Sequence, residues 1–197
     1  MKRLIMVGAA VIAVAASGFA FAQAGSGKFR EFLTGLKEAP AIVSTTATGT
    51  FTATLNDAET EINYVLTFTD LQSDVRQAHI HIGYPQNAGN IVLWLCDSAA
   101  APNPVSPFES TPLCVQNDPN DFRNGRVTGT LTAAEVVAQP ANGIAAADWA
   151  EVVALVKGGY TYVNVHSASI GAGEIRSQIA NGDDDDSHHG HQGSGGH

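Results

Sequence analysis

From Lys28 to Ile179 the chain changes between apolar and polar residues at nearly every second position, in runs of five to ten residues broken by Asn, Asp, Gly and Pro. That period places alternate side chains on opposite faces of an extended strand, and it fits no helix. The runs FTATLND and TEINYVLTFTDL, separated by Asn56, Asp57 and Ala58, read as a β-hairpin. Further strands are expected at Lys28 to Leu36, Gln77 to Gly83, Asn90 to Cys96, Gly125 to Thr132, Tyr160 to Ser167 and Gly173 to Ile179. About eight short strands predict an all-β fold, an antiparallel, Greek-key-like β-sandwich or barrel. One or two short helices are expected before the last hairpin. Thr132 to Glu135 has a capping-box pattern, and DWAEVVALVKGG spaces Trp149, Val152, Val153 and Val156 as one helical face before Gly158 and Gly159.

The ends read differently. Residues 1–22 carry Lys2 and Arg3, an apolar run from Leu4 to about Ala16, and small residues at Ala20 and Ala22, the pattern of a signal peptide cleaved after Ala22 or Ala24. The expected location is therefore secreted or periplasmic, without stable membrane insertion after cleavage. Residues 181–197, NGDDDDSHHGHQGSGGH, lack apolar side chains and should be a disordered acidic, His-rich tail. Between them, residues 28–180 suffice for one domain. The formal charge of −9 argues against nucleic acid as a partner, and the residues identify no protein or surface partner. In an exported chain Cys96 and Cys114 should pair across the Pro- and Ser-rich segment between them.

Strand parity sorts the polar residues. Ile80 and Ile82 take one face and His79 and His81 the other; Val163 and Val165 oppose Tyr162, Asn164 and His166; Ile175 and Ile179 oppose Glu174, Arg176 and Gln178. If the last two strands pair through residues 168–172 and the His strand adjoins them, His79, His81, His166, Glu174 and Arg176 share a patch. Such a patch is either a solvated sheet face with a Glu/Arg pair or a mononuclear copper or zinc site. In the second case His79, His81 and His166 are the ligands, with Asn164, Glu174 and Arg176 as supporting or binding groups. Because His79 and His81 lie about 7 Å apart along one face, a shared ion requires their rings to lean together. His188, His189, His191 and His197 in the tail form a separate metal-binding tract.

The ordered set LKEAP (36–40), TGTF (48–51), AHIHIG (78–83), the Cys96/Cys114 loop, GRVTGTL (125–131), GYTYVNVH (159–166) and GEIR (173–176) resembles the CHRD family, named for repeats in the secreted animal protein chordin. The resemblance implies an exported, β-rich, single-domain module whose biochemical role is largely unassigned, and the lack of a catalytic motif favours a non-catalytic binding or structural protein. In chordin such modules sit in a chain that sequesters growth-factor ligands, and nothing in these residues points to that partner. A looser similarity links HIH and GAGEIR (171–176) to copper/zinc superoxide dismutases, which implies redox or dismutase-like activity at the same histidines. That family needs roughly twice the three histidines available here, plus an aspartate. No nucleophile and base, phosphate loop or paired-carboxylate motif accompanies them.

Overall fold

The computed structural model describes residues 27–98, 106–118 and 120–180. The leader and the His-rich tail lie outside them. The eight strands are β1 (Lys28–Thr34), β2 (Thr48–Leu55), β3 (Ile62–Thr69), β4 (Val75–Ile82), β5 (Ile91–Asp97), β6 (Gly125–Leu131), β7 (Thr161–Ser167) and β8 (Ile175–Ile179). All pair antiparallel in one sheet of order β5-β4-β7-β8-β1-β2-β3-β6, which curls into a nearly closed barrel. The late hairpin β7-β8 is thus inserted between β4 and β1. Each expected strand forms within a few residues of its sequence-derived bounds, because one face of each is buried and the period of two locks the register.

The interior is filled by the aliphatic face of every strand. Leu33, Leu66, Phe68, Leu93, Val163, Val165, Ile175 and Ile179 have no exposed surface, and Ile80 has almost none. Ile82, at the end of β4, is only half-buried and packs at the margin of this core. Two glycines of β6 lie under aromatic rings of β3. A Cβ on Gly125 would fall 2.2 Å from Phe68 Cζ, and one on Gly129 would fall 2.5 Å from the Tyr64 hydroxyl oxygen. The Tyr64 hydroxyl in turn donates to the Leu95 carbonyl of β5, and Val137 N donates to Val92 O at 3.0 Å, which draws the two ends of the sheet together.

Cys96 and Cys114 form a disulfide, with Cα atoms 4.7 Å apart. Asp97 and the facing segment exchange backbone hydrogen bonds on either side of it, Asp97 N to Pro112 O and Cys114 N to Asp97 O, both 2.9 Å. Replacing both cysteines by serine is expected to cost about 3 kcal/mol through the freedom returned to the unfolded chain. Urea melts measure it; a loss under about 0.5 kcal/mol would mean that residues 106–118 are held by hydrogen bonds alone.

Of the two helical segments expected from the sequence, one is an α-helix, α1 (Trp149–Lys157), which buries Trp149, Val152, Val153 and Val156 and gives way at Gly159, φ +74°. The capping box at Thr132 and Glu135 forms, but it opens only a single 3-10 turn, Ala133–Glu135, because Val136 is already extended. Helix α1 is tied to the β2-β3 turn by Trp149 Nε1, which donates to Glu59 O at 2.7 Å, and by the Lys157–Glu59 ion pair. No helix among the described residues is long and apolar enough to cross a membrane.

Candidate metal centre

Antiparallel pairing puts directly opposite residues on the same face. Across β4 and β7 the opposite pairs are Gln77 and His166, His79 and Asn164, and His81 and Tyr162; across β7 and β8 they are Asn164 and Arg176, and Tyr162 and Gln178. The outer face of these strands is therefore a polar grid with β7 at its centre. A register shift between Ala78 and His79 brings Trp94 of β5 opposite His79, the ring centroids 4.3 Å apart and nearly perpendicular.

This face is not solvated. His79, His81, Asn164, His166 and Arg176 are 0, 7, 2, 6 and 1% exposed. Parity fixes the side of the sheet a residue occupies and says nothing of what lies over it, and here irregular segments do. Arg176 Nη2 donates to Tyr84 O and Gln178 Nε2 to Gly83 O, while Gly89 N donates to the Tyr162 hydroxyl.

The hydrogen bonds fix two ring tautomers. A carbonyl only accepts, so His81 Nδ1–H donates to Gly89 O at 2.9 Å and His166 Nδ1–H donates to Gly171 O at 3.0 Å. Each Nε2 is left with its lone pair. His166 Nε2 accepts from His79 Nδ1–H at 3.1 Å and lies 3.0 Å from Asn164 Oδ1, and since Nε2 and Oδ1 are both acceptors the Asn164 amide has to present its NH2 side to bond this ring. His79 Nε2 and His81 Nε2 are buried without a partner, and such orphaned atoms are uncommon and costly. One ring nitrogen from each histidine lies within 4.8 Å of the others. For metal–nitrogen bonds of about 2.0–2.1 Å at tetrahedral angles the separation is about 3.4 Å, so modest ring rotations close the set. Burial holds His81 down to about 4 and His79 and His166 also below the usual imidazole range, so all three are neutral at pH 7, the form that binds metal.

Around the three rings, Tyr162 stacks on His81 with centroids 4.8 Å apart, and the Arg176 guanidinium carbon lies 3.4 Å from the Tyr162 centroid. Parity puts Tyr162 on this face and assigns it no role; Trp94 carries no sequence signal of its own, and Glu38 enters only within the LKEAP stretch. Glu38 is 7% exposed. Burial raises its carboxyl to about 7 against the pull of Arg176. It belongs to the loop after β1, where no periodicity marks an inward side chain.

Glu174 departs from expectation. Its carboxylate accepts from Thr45 Oγ1 at 2.8 Å, from Gln72 N at 2.9 Å and from Ser167 Oγ, and it meets neither the histidines nor Arg176. The reason is local: Gly173 has φ +125° and β8 begins only at Ile175, so the parity of β8 does not extend to Glu174. The sheet-face Glu/Arg pair therefore does not form, and Glu174 is a brace among three segments. The disulfide lies on β5 and its facing loop, and the four tail histidines fall outside the described residues.

The CHRD domain family model matches residues 29–179. Neither a curated protein nor a solved structure matches the chain.

Proposed function

The chain belongs to the CHRD domain family, and from that premise we propose that it is an exported, non-catalytic module that holds one copper or zinc ion on His79, His81 and His166. The observation that carries the reading is three buried imidazoles in one cluster, two of them (His81 and His166) oriented by backbone carbonyls through Nδ1 and two (His79 and His81) with Nε2 buried and unpartnered. Locking one ring nitrogen to an acceptor sets the tautomer and aims the other, which is how metal-binding histidines are oriented in general. Three neutral imidazoles suit both metals. Asn164, Tyr162 and Arg176 support the site by position. With the three ligands almost closed to solvent, a structural or stored ion fits better than substrate turnover, and the redox, dismutase-like reading has no observation of its own in its favour. Export is supported by the leader pattern and by the disulfide.

Because a His-rich tract can bind metal without a fold, the test uses protein ending at Ala180. Calorimetric titration with zinc, and separately with copper, is expected to give one site per chain, weakened at least about 100-fold by His166→Ala. Absence of saturable binding, or binding indifferent to His166, would leave a CHRD module without a metal.

A further inference from the structure

Arg176 also lines a cavity that none of the three histidines lines. The cavity, of about 610 Å³, is bounded by the loop after β1, by Pro85 and Gln86, and by β8, a volume ordinary for a small-molecule pocket. Its polar floor is unusual. Arg176 is almost wholly buried, spends Nη2 on the Tyr84 carbonyl and its guanidinium face on Tyr162, and leaves Nη1 without a partner. Glu38 lines the same cavity, and its Oε1 is also buried and unpartnered. The other two charged lining groups are already engaged. Glu31 accepts from Ser177 Oγ and Ala180 N, and Lys37 Nζ donates to Phe32 O and Ser177 Oγ.

The walls are apolar and wet. Leu36 and Ile42 line the cavity and are 71% and 66% exposed. Large aliphatic side chains standing in water beside a buried guanidinium with a donor to spare match the general make-up of ligand sites, mostly apolar with a few placed polar groups. We propose that this cavity binds a small amphipathic carboxylate, its charged end on Arg176 and its aliphatic end against Leu36 and Ile42. A carboxylate supplies both the acceptor and the countercharge that a buried guanidinium requires, and it pairs with arginine through two oxygens. A cationic ligand would face Arg176 with like charge, and a neutral amide would leave that charge uncompensated. Glu38, when protonated, supplies a second donor to the same carboxylate. The site is separate from the three histidines and does not depend on a bound metal.

The probe is hexanoate, titrated into the metal-free, isotopically labelled full chain and followed by amide chemical shifts, with hexanamide and hexylammonium in parallel. One saturable site with a dissociation constant of about a millimolar is expected for a ligand of this size, with hexanamide and hexylammonium at least about tenfold weaker. Ile42→Asp, at an exposed position that leaves the core intact, should weaken hexanoate about tenfold. Arg176→Gln should abolish binding if that protein folds; Ile42→Asp keeps the test decisive if it does not. No saturation by hexanoate, equal binding of hexanamide, or unchanged binding by Ile42→Asp would each overturn the proposal.

Discussion

Glu174→Ala is expected to cost about 3 to 5 kcal/mol, more than most core truncations in this barrel. The carboxylate is fully buried and accepts three hydrogen bonds, from Thr45 in the loop after β1, from Gln72 in the turn before β4 and from Ser167 at the end of β7. Deleting it leaves two hydroxyls and a backbone N–H without their acceptor, the Ser167 hydroxyl in a fully buried place and the other two at a partly buried junction, and it unties three segments at once. Urea melts of metal-free protein give the magnitude. Metal affinity per folded chain should stay within about threefold, because no bond of Glu174 reaches a histidine. A loss below about 1 kcal/mol would remove the brace, and a large loss of metal affinity in folded protein would return Glu174 to the histidine site.

Taking metal-free protein from pH 7 to pH 5 is expected to destabilise it by about 2 kcal/mol, an effect set by competing groups. Unfolded, the three histidines take up protons as the pH falls through the ordinary imidazole value of 6.5; folded, burial keeps them neutral well below that, with His81 at about 4. Between these limits the unfolded state binds more protons, so stability falls with pH. Glu38 acts in the opposite sense, since the folded chain holds a proton up to about 7 that the unfolded chain releases near 4.5, and the half-buried Glu31 adds a smaller effect of the same kind. Three histidines outweigh two carboxyls. Urea midpoints at the two pH values, for protein ending at Ala180, measure the balance. His81→Asn should remove about a third of the histidine contribution, and a chain that gains stability on acidification would contradict the burial of these rings.

The strands were legible because each has one aliphatic face, and a residue such as Val163 has only one side of the sheet on which to hide. The shared face of His79, His81 and His166 followed from the same parity once β4 and β7 proved to be neighbours. That the face is covered was not legible. The covering contacts come from Gly83, Tyr84 and Gly89, on a segment whose position is set by backbone hydrogen bonds and by no hydrophobic period. Glu174 was misread for a related reason, since alternation was extended one residue beyond the strand that sustains it. Likewise the four-residue spacing at Thr132 signalled a cap but could not reveal that the turn it opens stops at Glu135.

The place of the last hairpin has a consequence for the order in which the chain can assemble. β2 and β3 pair through a local turn, and β4 and β5 are also sequence neighbours, so both hairpins can form from nearby contacts. Until β7 and β8 are synthesised and inserted, however, β4 and β1 each present an unpaired edge, and the two halves of the sheet have no shared hydrogen bonds through the centre. The third histidine arrives with that hairpin, 87 residues after His79. An ion held as proposed by all three histidines would therefore come last in folding, and a chain cut short before β7 should tend to join others along its open edges.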